Sequence, residues 1–321
     1  MKIKNFKKII DSLFSMIALS MLLTGIIQAE EKQNFIQRFS IKVSGGLSYL
    51  AVGDFNKFLE DVTSIEAYHR YVYMFDYFEM TKKEELKKVR FGFDSEIELT
   101  FDINSRWRIG LGTGYVYTSR ASRGGFEISR PEPYSDMDFT YSPRISISAI
   151  PLKLAIYYIK HSTPKAKWFV NAGIGYYFTK TSYYWEQREI LIEKDGLVEA
   201  DWKAMAEWDL SSSGIGFHGG VGFEYNLTKK FALVIEAQGS YAQVKKLKGD
   251  EIYVGGGSMQ NYYGAVYYWE EKDIITEKYY ASIGFHKEKP NYSPPEYRNL
   301  KEAALGLSGF LLKIGIRIRL F

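Results

Sequence analysis

The side chains best suited to acid–base chemistry in this sequence are its four histidines: His69, His161, His218 and His286. Hydrolytic chemistry needs such a base within hydrogen-bond reach of a nucleophile and an orienting group. Three of the four lie in separate segments without regular alternation, and only His218 lies in a predicted strand. We therefore predict no catalytic residues, and we expect His218 to hydrogen-bond to a carboxylate such as Glu224 or Glu236.

The composition excludes several other kinds of site. The 321 residues contain no cysteine, which rules out a disulfide framework, a thiolate metal site, a cysteine nucleophile and a lipid anchor on cysteine. We predict no cofactor and no metal site. The formal charge of +4 falls to +1 without the first 29 residues, which carry four lysines and one aspartate. A nearly neutral chain does not indicate a nucleic-acid partner.

Ionisable residues recur at alternate positions and form the clearest charged pattern in the sequence. Only a sheet with one polar face accommodates such rows. The residues predicted to share that face are Lys42, Asp94, Glu96, Glu98, Asp102, Arg108, Lys153, Glu224, Glu236, Lys313, Arg317 and Arg319. Six bases and six acids buried together must pair, so we predict a salt-bridged interior that specifies strand register. The alternative is a narrow path for ions or small solutes.

Eight segments with period-two alternation must position these charges. They span residues 39–52, 91–103, 107–118, 144–158, 168–179, 214–227, 231–241 and 308–321. Apolar and aromatic residues occupy one face, and charged, small or glycine residues occupy the other. Segment 144–158 changes phase near Ala149, with Ile145 and Ile147 assigned to the outer face. That phase change predicts a β-bulge beside Pro151.

The connections between these segments alternate between short and long. The short ones span 104–106, 159–167 and 228–230, and the long ones span 53–90, 119–143, 180–213 and 242–307. Aromatics make up 17% of the chain, which suits interfacial aromatic belts. The pattern predicts an all-β fold, namely a transmembrane up-and-down antiparallel β-barrel of eight strands with short periplasmic turns and long extracellular loops.

The start of the chain has the pattern of a secretory signal peptide. Four lysines precede an apolar stretch at 13–27, and Ala29 comes just before a polar run. A permanent anchor helix is the alternative, but the apolar stretch is shorter than the ~20 residues that a spanning helix needs. We expect a signal peptide at 1–29 and one barrel domain at 30–321.

Several segments together carry a family resemblance. They are SGGLSYLAVGDFNKFLE at 44–60, IPLKLAIYY at 150–158, the tyrosine-rich loops and the ending GFLLKIGIRIRLF. Over the whole mature chain, this architecture resembles the eight-stranded outer-membrane β-barrel proteins of the OmpA and OmpX type. The resemblance implies an integral protein of the bacterial outer membrane, which contacts outer-membrane lipid and is inserted by the barrel-assembly machinery. Phe321 departs from the usual terminal phase because it shares parity with Arg317 and Arg319.

The long loops carry the candidate recognition residues: Tyr71, Tyr73, Tyr77, Tyr262, Tyr263, Tyr267, Tyr268 and Trp269. Such side chains suit recognition of an extracellular protein or glycan. The alternative is that the strands continue beyond the bilayer as hairpins whose aromatics pack against one another. Residues 54–60 predict a short helix over the barrel mouth, with Asp54 as its N-cap.

These observations favour a non-enzymatic integral protein of the outer membrane with a structural or cell-surface interaction role through its long loops. The second hypothesis is a small pore or carrier for a hydrophobic or ionic solute. A lipid-modifying enzyme is the third. An eight-stranded lipid A deacylase resembles this barrel in size, but its His-x-Ser pair is absent, because Gly219 and Gly220 follow His218.

Overall fold

The computed structural model describes residues 38–61, 79–84, 86–130, 132, 134–272, 279–291 and 297–320. Several predictions fall outside these residues: the signal peptide 1–29 with its cleavage site, His69, Tyr71, Tyr73, Tyr77 and the phase of Phe321. Within the described residues, no helix is long and apolar enough to cross a membrane.

The described chain forms strands joined by hairpins, together with one helix. The strands are β1 (Phe39–Gly53), β2 (Glu79–Glu84), β3 (Phe91–Asp102), β4 (Trp107–Ala121), β5 (Gly124–Ser129), β6 (Asp136–His161), β7 (Ala166–Ile192), β8 (Val198–Asn226), β9 (Phe231–Val244), β10 (Lys248–Gly255), β11 (Ser258–Lys272), β12 (Tyr279–His286), β13 (Tyr297–Glu302) and β14 (Leu305–Arg319). The helix α1 spans Asp54–Asp61.

Eight of these strands pair antiparallel in a closed ring. The order around the ring is β1, β3, β4, β6, β7, β8, β9 and β14, and β14 pairs again with β1. Every predicted segment supplies one ring strand, and the last strand joins the first as the sequence pattern indicated. Closure leaves no unpaired edge in the ring.

The two faces of the ring differ as the alternation predicts. On β1 and β14 the outward side chains are apolar and exposed, for example Leu47 (74%) and Ile314 (59%). The inward positions of the same strands are polar and buried, for example Lys42 and Lys313. Trp107, Trp168 and Phe231 are exposed on the outer face just after the short turns. This places an aromatic row at the end of the ring that carries the short turns, which we name the turn end.

The opposite end, the hairpin end, differs from the predicted long loops. β6, β7 and β8 contain 26, 27 and 29 residues, whereas a membrane strand needs ~9–11. At about 3.3 Å per residue, β8 is roughly 95 Å long. Strands β2, β5, β10, β11, β12 and β13 add to this extended part of the sheet. Much of what the sequence suggested as loop is therefore strand.

The predicted bulge in the fourth ring strand is wrong. The pairing of β6 with β4 and with β7 keeps one register from end to end. Ile145 and Ile147 are each 1% exposed, so they face inward and not outward. The apparent phase change arises because the surroundings of β6 change along its length. Near Ile150 and Leu152 the outer face is apolar and the interior is polar, whereas near Ile145 and Ile147 the interior is apolar. The apolar residues therefore move from the outer to the inner face without any extra residue in the strand.

Helix α1 folds back over the hairpin end of the ring, as predicted. Its Phe55 and Leu59 are buried in the apolar interior. Asp54, however, is not the N-cap of this helix. Its carboxylate accepts hydrogen bonds from the Ala304 N–H (2.8 Å) and from Lys301 Nζ (3.0 Å), which ties the start of the helix to the region just before β14.

Candidate functional site

The interior of the ring holds a charge layer centred on Lys42. Its ammonium group lies 3.1 Å from Glu96, 2.7 Å from Glu98 and 3.1 Å from Glu236, and Lys42 is fully buried. Lys42 also donates a hydrogen bond to the Tyr157 hydroxyl at 3.2 Å. β1 brings Lys42 into this position because it lies between β3, which carries two of the carboxylates, and β14.

Two further lysines complete this first layer. Lys153 Nζ lies 2.8 Å from Glu96 and Lys313 Nζ lies 3.1 Å from the same carboxylate oxygen. Neutral side chains add two further hydrogen bonds: Lys313 donates to Gln238 Oε1 at 3.1 Å, and the Asn171 amide donates to Glu236 at 2.6 Å. A charged group in such an interior is tolerated only with this degree of pairing.

A second charge layer lies nearer the turn end and is centred on Glu224. Three arginines share its carboxylate: Arg108 at 3.2 Å, Arg319 at 3.5 Å and Arg317, which forms a direct hydrogen bond. Arg108 also pairs with Asp102 from the neighbouring strand. Arginine suits this role because its fork of donors can contact two carboxylates at once.

The two layers have complementary formal charges. The first contains three lysines and four carboxylates including Asp94, a net of −1, and the second contains three arginines and two carboxylates, a net of +1. Some buried polar atoms of the interior lack a partner among the described residues, including Nε and Nη2 of Arg317, and Asp94 and His218 are two further cases. Both are buried, and neither Asp94 Oδ1 nor His218 Nδ1 has a hydrogen-bond partner among the described residues. The predicted bond from His218 to Glu224 or Glu236 is therefore wrong.

Sequence reasoning missed the neutral members of this network: Tyr157, Asn171 and Gln238. Tyr157 is 2% exposed, and its hydroxyl donates to Glu98 at 2.6 Å. All three occupy inward positions of predicted strands, so strict parity was the signal that could have found them. Charge alone drew attention to the ionised residues.

Above the charged layers, towards the hairpin end, the interior becomes apolar. Phe55 from α1 packs against Tyr183 with ring centroids 5.9 Å apart, and Tyr183 packs against Trp208 at 4.7 Å. The border between polar and apolar parts holds a cavity of about 20 Å³, lined by Asp94, Lys153 and their neighbours. That volume accommodates about one water molecule and no larger solute.

A third cluster fastens the apolar part at the hairpin end, and it is centred on Glu270 of β11. Glu270 accepts hydrogen bonds from Arg298 and Asn299, each at 2.8 Å, from the Tyr268 hydroxyl at 2.8 Å, and from Lys57 of α1. Burial by itself raises the pKa of Glu270, but these hydrogen bonds outweigh it and lower the pKa to about 2. Glu270 therefore stays ionised and joins α1 to β11 and β13.

The predicted recognition residues of the fourth loop divide into two groups. Tyr267 and Tyr268 are buried, at 8% and 2% exposed, because they pack into the extended part of the sheet. They are not available to a partner, so their prediction as recognition residues is wrong. Tyr262 and Trp269 are half-buried, whereas Tyr263 is 66% exposed on the outer face.

A closed ring of eight antiparallel strands with an apolar outer face and a charged interior has the architecture of a membrane β-barrel. A family model described as the outer membrane protein beta-barrel domain matches residues 32–258. The chain belongs to this family, and it is an outer-membrane β-barrel protein of the bacterial cell.

Two solved structures show more distant similarity. The outer membrane protein OprG from Pseudomonas aeruginosa is 11% identical over 87% of this chain and 94% of its own, with a TM-score of 0.33. The RagAB peptide importer in its closed-closed state is 11% identical over 87% of this chain and 41% of its own, with a TM-score of 0.14. No curated protein matches the sequence.

Proposed function

We propose that this protein is a closed, non-enzymatic barrel that acts through the part of its sheet beyond the membrane. In this proposal the turn end faces the periplasm and the hairpin end faces the cell exterior, as in barrels with short turns and long hairpins. The observation that carries the proposal is the filled interior. Among the described residues, two charge layers are followed by the apolar cluster around Phe55, Tyr183 and Trp208, which we name the apolar plug, and a cavity of about 20 Å³ lies at the border between the charged and apolar parts.

The network of buried ion pairs then has a structural role. Every charge of the two layers except Asp94 has a partner on another strand among the described residues, so a slip of one residue would leave several more charges unpaired. The runner-up function, a small pore or carrier, requires a continuous gap or a mobile plug. Reconstituted liposomes separate the two functions: they should not swell in an isotonic solution of a small sugar, and rapid swelling would favour the pore.

The best surface for an interaction is a patch on the outward face of the β10–β11 hairpin. Ile252, Met259 and Tyr263 are 39%, 65% and 66% exposed, and the pairing of β10 with β11 places them on neighbouring rows. Tyrosine and methionine are enriched at the centres of protein interfaces, where they give large contact area. We name this set the hairpin patch and propose that it contacts an extracellular protein or glycan.

Liposomes that carry the protein test this surface on a glycan array and on arrays of extracellular proteins. Serine at all three positions of the hairpin patch should abolish a binding signal of the native protein. A matched control replaces Leu197, Val198 and Trp202, which are equally exposed on a different hairpin, with serine. Equal loss of binding in the two variants would contradict the assignment of the patch.

A further inference from the structure

A groove of about 800 Å³ lies on the outer face of the ring, where the exposed apolar rows give way to polar ones. The edge of the groove nearer the turn end is formed by Tyr115, Ile150 and Phe178, which continue the lipid-facing surface. Towards the hairpin end it is lined by lysines and outward hydroxyl side chains: Ser148, Lys180, Ser211, Ser213, Lys245 and Lys246. The groove therefore has an apolar half and a cationic half.

The strand register fixes the distance between the two halves. Ile150 pairs with Phe178, and two residues further along both strands Ser148 pairs with Lys180, which also pairs with Ser211. Successive residues on one face of a strand are about 6.6 Å apart. The first row of lysine and serine side chains therefore lies about 6.6 Å from the last apolar row. The headgroup region on each side of the hydrocarbon core of a bilayer has a similar thickness, about 5–8 Å.

The lysines of the groove have no local counter-charge. Among the described residues, no carboxylate lies within the 4.0 Å ion-pair distance of Lys180, Lys245 or Lys246, and all three are exposed. The nearest acidic row is Asp209 opposite Asp250, two residues beyond Ser211 towards the hairpin end. An unpaired cationic cluster directly above lipid-facing side chains is complementary to an anion that is itself attached to apolar chains.

We propose that this groove binds the phosphate-bearing headgroup of a lipid in the outer leaflet. Lys180, Lys245 and Lys246 contact the phosphate, Ser148 and Ser211 offer hydroxyls to the polar part of the headgroup, and Ile150 and Phe178 contact the acyl chains. A soluble phosphate compound would use only the cationic half. The site shares the orientation of the proposed function but goes beyond it, because neither a closed interior nor the hairpin patch requires a bound lipid.

Native mass spectrometry of the purified protein in a nonionic detergent measures lipid binding and so tests the site. The probes are an acylated diglucosamine with two phosphates, the same lipid without phosphate, and inorganic phosphate. One variant carries Lys180→Gln, Lys245→Gln and Lys246→Gln. The control carries Lys165→Gln, Lys229→Gln and Lys230→Gln, which remove the same charge from exposed positions at the turn end.

We expect the native protein and the control to bind the phosphorylated lipid at least tenfold more tightly than the lipid without phosphate, since each interfacial lysine contributes about fivefold. The groove variant should lose this preference and keep the unfolding temperature of the native protein in detergent alone. Equal affinity for both lipids, no binding, or equal losses in groove variant and control would overturn the proposal. Inorganic phosphate that displaces the lipid at equimolar concentration would show an anion site instead. A swelling assay on the same samples reports separately on the closed interior.

Discussion

Replacement of Lys42 by methionine is the most direct perturbation of the charged interior. Methionine keeps most of the length and apolar stem of lysine but removes the ammonium group. The only remaining partner of Glu98 among the described residues is then the Tyr157 hydroxyl, which donates a hydrogen bond to it. Glu236 retains the hydrogen bond from the Asn171 amide and an ion pair with Lys313 at 3.9 Å. Glu96 still contacts Lys153 and Lys313. Two of the three carboxylates around Lys42 therefore lose their closest cation.

The expected cost follows from the burial of these groups. Removal of one partner from a buried ion pair leaves an uncompensated charge and typically destabilises a protein by about 3–5 kcal/mol. We expect a loss in that range for Lys42→Met. The second change Glu98→Gln removes one of the stranded charges, so the double variant should recover at least about 1 kcal/mol relative to additivity.

Urea unfolding of the protein folded in lipid vesicles, followed by tryptophan fluorescence, measures these differences. Lys229→Met is the matched control, because Lys229 is exposed in a turn, and it should change stability by less than about 0.5 kcal/mol. A loss below about 1 kcal/mol for Lys42→Met, or strict additivity with Glu98→Gln, would refute the role of the network in stability.

Three further variants test other parts of the molecule. Gly222→Ala should destabilise the barrel by about 1–3 kcal/mol in the same urea assay, since the new methyl group would lie 2.1 Å from the Phe169 ring, whereas Gly239→Ala, whose nearest contact is 3.9 Å, should be close to neutral. Phe55→Ala should cost about 3–5 kcal/mol and increase hydrogen exchange in α1 and β11, because the side chain is fully buried. Unchanged hydrogen exchange in α1 and β11 of this variant would contradict the role of Phe55 in the apolar plug. Glu270 has a pKa of about 2 against a usual 4.5, so its stabilisation of the hairpin end is complete above pH 4.5 and is lost as the pH falls through 2. Glu270→Gln should remove this acid dependence, as measured by hydrogen exchange at pH 2 to 6.

The ring itself was predictable from residue types. Alternation of lipid-facing and interior residues depends on the two-residue period of a strand, and a membrane demands that the ring close. Both constraints act on the sequence directly, so all eight ring strands and the inward set around Lys42 and Glu224 could be predicted. The partners of individual side chains could not, because they depend on side-chain conformations. The unpaired His218 Nδ1 is the clearest example.

The part of the sheet beyond the membrane was harder to predict, and β6 shows why. Its Ile145 and Ile147 face inward, whereas Ile150 and Leu152 of the same strand face lipid. The polarity of a side chain shows whether its surroundings are polar or apolar, but it does not show whether the side chain points into the ring or away from it. Where an apolar interior replaces an apolar exterior, the alternation reverses although the strand is regular. In β11, by contrast, Ala265, Val266, Tyr267 and Tyr268 are all buried, so both faces of this stretch are covered although its sequence resembles an exposed aromatic loop.

The closed interior is the central claim, and single-channel recording in planar lipid bilayers tests it most directly. The native protein should give no steady conductance above the bilayer baseline. A variant that lacks α1 should also remain closed, because the two charge layers still fill the ring. Large steady openings of the purified native protein would contradict the account, since they require a continuous path past Lys42 and Glu224.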